Sequence, residues 1–217
     1  MVLPFYKKLL SYFIPVQLQT LSGDKHPRLK VQLYMNHIML STPDAIYSFG
    51  TLYSPFRITF AAIKDSLPNV KQFLLLGTGM GSALQILQKE YQCYPKSILV
   101  DHDATILSLS MQYMNLNSRQ NVQWLNSDAR LYIETCDEYF DLIGVDIFVD
   151  MDIPYYYRTE DFYRSCRMKL NEKGICIFNT IPINPGEAEE THQKLRRVFS
   201  KVDAMTQNRN VFYLCMH

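Results

Sequence analysis

FLLLGTGMGSAL, Phe73 to Leu84, decides the fold. Four apolar residues that suit a buried strand run into glycines at positions 77, 79 and 81, and a helix opens at Ser82. In open α/β sheets a ligand lies beyond the carboxyl ends of the strands, where a backbone free of Cβ atoms allows close approach. Helix N–H groups beyond such a turn suit a carboxylate or other anion. A tight turn with no ligand is the alternative for three glycines taken alone, so the neighbouring segments have to decide.

They repeat the pattern. Short apolar runs at 97–100, 122–125, 142–145 and 175–178 read as strands. They alternate with helices expected over 82–91, 104–116, 129–135, 160–170 and 185–200. Strands apolar on both faces imply a parallel sheet covered on both sides. Two last strands, 202–205 and 211–216, are joined by Gln207-Asn208-Arg209-Asn210, which is too short for a crossover helix, so the sheet should end in an antiparallel pair.

Residues 1 to about 50 differ. Leu29, Val31, Leu33 and Met35 alternate with polar or amphipathic neighbours, the period of a half-buried strand, and 16–21 and 38–47 also read as extended. A small antiparallel lobe over 1–50 and an α/β domain over 51–217 are expected. Ser54 and Pro55 suit the cap and first turn of a helix whose apolar face is Phe56, Phe60, Ile63 and Leu67.

Composition narrows the function. The chain has 217 residues, 22 basic against 21 acidic and a net charge of +1, with no Lys/Arg block of the kind that tracks a nucleic-acid backbone. No apolar run approaches the roughly 18 residues of a membrane span. The five cysteines form no C-x-x-C pair and suit buried thiols in a reducing compartment, so a cytoplasmic protein is expected, with no nucleic-acid or membrane partner. Histidines 26, 37, 102, 192 and 217 lack metal-ligand spacing, so no metal is expected.

Two acids extend the glycine turn. Asp101 closes the second strand in ILVDHD, about twenty residues after the last glycine, where a carboxylate can accept from both ribose hydroxyls. Asp128 follows the third strand in NSDA and can accept from an adenine amino group. Helix capping explains either acid singly. The sixth position of the turn is Ser82 rather than the glycine or alanine of a dinucleotide fingerprint, which favours a mononucleoside-type cofactor.

FLLLGTGMGSAL, ILVDHD, NSDAR, FDLIGVDIF and LNEKGICIFN together resemble the successive motifs of class I S-adenosylmethionine-dependent methyltransferases, in the spermidine synthase-like branch. The resemblance implies a Rossmann-like α/β fold with a mostly parallel seven-stranded sheet, an antiparallel C-terminal strand and a small N-terminal β lobe. It implies S-adenosylmethionine or its decarboxylated form as cofactor, with Gly77, Thr78, Gly79 and Gly81 under its amino-acid part, Asp101 and the adjacent His102 at the ribose, and Asp128 and Ala129 at the adenine. Asp146, in GVDIFVDMD, becomes the catalytic residue, a carboxylate that could hold or deprotonate an amine. Tyr47 and Tyr53 of DAIYSFGTLYSPF, with Asp150 and Tyr155, become substrate contacts. That branch often pairs, so a homodimer is expected. Three departures are visible: the second aspartate of aminopropyltransferases is Val149 here, the glutamine before the joining segment is absent, with Tyr47 or Ser48 near its place, and the N-terminal lobe is short. They put methyl transfer to a small-molecule acceptor, an amine among the candidates, ahead of aminopropyl transfer to a polyamine. A non-catalytic interaction module is the third reading.

Overall fold

A computed structural model describes residues 3–22, 28–43, 46–114, 116–118, 120–149 and 152–217. The chain begins with a short helix, α1 (Phe5–Leu10), followed by strands β1 (Val16–Leu21), β2 (Leu29–Tyr34), β3 (His37–Ser41) and β4 (Ile46–Ser48). These four form an antiparallel sheet in sequence order. Leu29, Val31 and Leu33 are buried as their alternation predicts. Met35 departs from that series: with Asn36 it adopts positive φ, 50° and 59°, and makes the two-residue turn between β2 and β3. The extended piece expected over 38–47 is two strands, β3 and β4.

The rest is the α/β unit: α2 (Ser54–Ala62), β5 (Gln72–Leu76), α3 (Ser82–Glu90), β6 (Lys96–Asp101), α4 (Ala104–Tyr113), β7 (Val122–Asn126), α5 (Ala129–Thr135), β8 (Phe140–Val145), α6 (Glu160–Met168), β9 (Leu170–Thr180), α7 (Pro185–Val198), β10 (Lys201–Gln207) and β11 (Asn210–Met216). Its sheet has the order β10-β11-β9-β8-β5-β6-β7. β5 through β9 run parallel, and β11 is antiparallel to both β9 and β10. From β5 the chain moves to β6 on one side and later returns to β8 on the other. The crevice between the ends of β5 and β8 is therefore the topological switch point, where open α/β sheets hold ligands.

Local chemistry sets the helix starts. The carboxylate of Asp103 accepts from the N–H groups of Thr105 and Ile106, and that of Asp128 from Arg130 and Leu131, while Thr159 and Asn184 cap α6 and α7. At α2 the cap position is Tyr53, one residue before the expected Ser54, and it caps without a side-chain bond.

Three apolar clusters hold the layers together. Leu76, Val100, Ile143, Phe162 and Phe178 lie in one, and Phe56, Phe60, Leu75, Leu84 and Leu99 in a second. The third joins Leu29, Val31 and Leu40 of the small sheet to Met80, Ile106 and Leu109 of the α/β unit, so the small sheet shares a core with the glycine turn and α4. The hydroxyls of Ser48 and Ser82, 2.5 Å apart, add a polar tie between β4 and the first turn of α3. Among the described residues no helix is long and apolar enough to cross a membrane.

The switch point is closed by backbone. A Cβ on Gly77, whose φ is +85°, would lie 2.2 Å from the carbonyl oxygen of Asp146. Both the φ and the contact forbid a side chain there. Gly77→Ala is therefore expected to lower the unfolding free energy by about 3 kcal/mol, measured by urea titration.

Candidate active site

A cavity of about 400 Å³ opens at the carboxyl ends of the parallel strands. Each wall comes from a different strand end. β5 supplies Gly77 and Gly79, β6 supplies Asp101 and His102, α5 supplies Ala129, β8 supplies Asp146, and β9 supplies Asn179. Tyr47 of β4, Tyr53 from the segment that joins the two sheets, and Tyr157 also line it.

Asp146 sits on the cavity floor in a fixed orientation. Its Oδ2 accepts from the Tyr53 hydroxyl at 2.9 Å, and its Oδ1 from the Asn179 amide at 2.7 Å. Burial raises its pKa from the ordinary 3.8 to about 6, the two hydrogen bonds oppose that rise, and the charge of Asp101 adds to it. Tyr53 is itself pushed well above the usual tyrosine value by burial and by the Asp146 charge, so it stays protonated and donates. This is a carboxyl poised to gain or lose a proton near neutral pH inside a cleft, the arrangement that acid–base chemistry requires.

Asp101 is spent differently. Only 7% exposed, it accepts from the backbone N–H groups of Thr78 at 3.0 Å and Gly79 at 3.3 Å with Oδ2, and from that of Asp103 at 3.0 Å with Oδ1. Burial raises its pKa against the pull of those N–H groups and of His102, whose Nδ1 lies 3.7 Å away. A carboxylate offers about four lone-pair directions, so roughly one remains for a ligand. Its first task is to hold the glycine turn in shape.

The other expected site residues divide. Tyr47, Tyr53, Gly77, Gly79, Asp101, His102, Ala129 and Asp146 line the cavity. Thr78 is buried beside it and contributes its N–H to Asp101. Gly81 packs against the Met114 side chain, which a Cβ there would meet at 2.3 Å. Asp128 caps α5 and accepts from the Tyr157 hydroxyl at 3.1 Å, leaving Ala129 and Tyr157 on the cavity wall. Tyr155 is 78% exposed and stands away from the lining, where its second neighbour Tyr157 takes part. Asp150 lies outside the described residues. Asn179, Phe148, Arg209 and Asn210 line the cavity without having been singled out. Asn179 was within reach of the strand-end rule, since it is the penultimate residue of β9.

Residues 60–214 match the spermine/spermidine synthase domain. The chain belongs to that family. Among curated relatives, polyamine aminopropyltransferase 1 of Aquifex aeolicus is 28% identical over 145 residues, covering 64% of this chain and 51% of its own. The chain thus spans about half the length of the curated relatives it matches. Among solved structures, a probable spermidine synthase from Corynebacterium glutamicum superimposes with a TM-score of 0.75 at 17% identity, covering 94% of this chain and 80% of that one. Human methyltransferase-like protein 13, solved with SAH, has a TM-score of 0.63 at 16% identity, over 74% of this chain and 81% of its own. These likenesses agree on a Rossmann-like fold, and the spermine/spermidine synthase domain accounts for the α/β unit.

The raised pKa of Asp146 has a defined sign. An acid that ionises near 3.8 when unfolded and near 6 when folded binds more protons in the native state between those values, so stability falls as pH rises through that window and levels off above it. The full shift corresponds to about 3 kcal/mol, an upper bound because the carboxyl keeps an opening to the cavity. Asp146→Asn has no proton to lose. Urea titrations from pH 4 to 7 should show the wild type losing up to about 3 kcal/mol relative to that variant.

Proposed function

We propose that the chain is a transferase that moves an aminopropyl group from decarboxylated S-adenosylmethionine to an amine, with Asp146 as the proton acceptor. The observation that carries this reading is the Asp146 carboxyl at the switch point, oriented by Tyr53 and Asn179, its pKa raised by burial to about 6. The sequence ranks methyl transfer first. Relatives named polyamine aminopropyltransferase, from Aquifex aeolicus and Thermococcus onnurineus among others, reverse that order.

The described residues fit a nucleoside donor. A cavity of about 400 Å³ lies within the range of small-molecule sites. Asp101 keeps acceptor capacity toward it, and the small side chain of Ala129 leaves room for a flat ring. In this reading Asp101 and His102 take the ribose, Ala129 and Tyr157 flank the base, and the Gly77–Gly79 turn lies along the tail. The donor, when bound, supplies a sulfonium-activated carbon whose C–S bond breaks, the sulfur keeping the electron pair, as the new C–N bond forms.

The protein's own work is alignment and proton management. An amine reaches the site protonated and must lose a proton to become a nucleophile. With a pKa near 6, Asp146 is mostly ionised at neutral pH and accepts that proton at an oxygen already ordered by its two donors. Tyr53 and Asn179 keep the carboxyl from rotating.

Asp146→Asn should therefore retain methylthioadenosine affinity while slowing aminopropyl transfer by 10²- to 10⁴-fold, read by calorimetry and by product formation from an amine panel. Unchanged turnover in that variant would refute the assignment.

A further inference from the structure

The turn between β10 and β11 overhangs the site for a topological reason. β11 is antiparallel to β9, with Val211 opposite Thr180 and Phe212 opposite Asn179, so the start of β11 lies at the carboxyl end of β9 where the cavity opens. Asn210, two residues before Phe212, falls diagonally across from Asn179 on the same face of the sheet, within side-chain reach. Both line the cavity. Asn210 Nδ2 donates to Asn179 Oδ1 at 2.8 Å, and Asn179 Nδ2 donates to Asp146 Oδ1 at 2.7 Å.

A side-chain amide has a donating end and an accepting end, and an ionised carboxylate can use only the first. Asp146 offers lone pairs and no proton, so Asn179 must present its Nδ2 to it and leave Oδ1 pointing away. Asn179 is 3% exposed, and a buried oxygen needs a donor from the protein. Asn210 is that donor. Turned over, the Asn179 amide would set oxygen against oxygen at Asp146 and nitrogen against nitrogen at Asn210.

We infer that Asn210 is a positioning residue for Asp146: it acts through Asn179, holding that amide in the orientation that favours the ionised carboxylate. The inference rests on Asp146 as the proton acceptor and extends that machinery to the C-terminal hairpin. Without the Asn210 donor, Asn179 can turn its oxygen toward Asp146, which favours the protonated acid, so Asp146 should ionise at higher pH. Among the described residues, other groups bear on the same equilibrium. Tyr53 donates to Oδ2 and the charge of Asp101 opposes ionisation, with His102 Nδ1 3.7 Å from Asp101. Tyr47, Tyr157 and Arg209 also line the cavity.

NMR titration of the carboxyl signals of the full chain, labelled with carbon-13 in aspartate, tests it; Asp146 is assigned by the signal that Asp146→Asn lacks. Asn210→Leu removes the donor and adds no charge. It should raise the titration midpoint of Asp146 by about half a pH unit to one unit, and the acidic limb of the pH–rate profile for aminopropyl transfer should move with it. In an Asn179→Leu background the relay is already cut, so adding Asn210→Leu should leave the midpoint in place. A purely structural role would move both backgrounds alike. If Asn210→Leu fails to fold, Asn210→Asp is read the same way: its new charge acts in both backgrounds, and the relay is the excess shift seen only with Asn179 present. An unchanged midpoint in Asn210→Leu, or equal shifts with and without Asn179, would overturn the role of Asn210. Because the titration needs no turnover, a moved midpoint with no aminopropyl transfer would sustain the relay and overturn the proposed reaction instead.

Discussion

The site exists because two strand ends touch through bare backbone. Gly77 leaves β5 against the carbonyl of Asp146 at the end of β8, and the Asp146 N–H in turn donates to the Leu76 carbonyl at 2.8 Å. A side chain at 77 would push these ends apart. With them would go the crevice, because its floor is Asp146 and its rim is the glycine turn. The opposite end of the sheet is pinned by Asp141, which accepts from the N–H groups of Lys71 and Gln72 and from the Asn171 amide, joining the starts of β5, β8 and β9. Fixed at both ends, the switch point offers a rigid scaffold.

Two carboxyls in one water-poor crevice would be unfavourable if both were bare. The structure divides the load. Asp101 is satisfied by N–H groups of its own backbone surroundings, while Asp146 is held by side chains from the joining segment and from β9. The first serves architecture before ligand, and the second keeps a titratable proton. Their environments differ although both acids sit at strand ends, and that difference sets their proton affinities apart.

Much of this was legible because the signals were local. Apolar runs and capping residues are properties of a few neighbouring positions, so the parallel strands, the starts of α4, α5 and α7 and the antiparallel end could be read directly. Met35 was misread because alternation cannot tell the last strand residue from the first turn residue, where Asn36 next to it favours positive φ. α1 carries lysines inside its apolar stretch and gave no clear period. In the site, residues fixed by the strand-end rule were found, whereas Asn210 and Arg209 come from a hairpin whose position depends on antiparallel pairing far along the chain. Asp128 caps α5, the alternative that sequence already offered, whereas the cap of α4 is Asp103 and Asp101 instead holds the glycine turn, a backbone task that depends on a contact more than twenty residues away.

The amide relay from Asn210 through Asn179 to Asp146 has a direction: every donor faces the acid. A hydrogen bond to an ionised acceptor is stronger than one to a neutral acceptor, and bonds in a chain polarise one another. It follows that the overhanging hairpin is stiffest when Asp146 is charged and slackens when it takes up a proton.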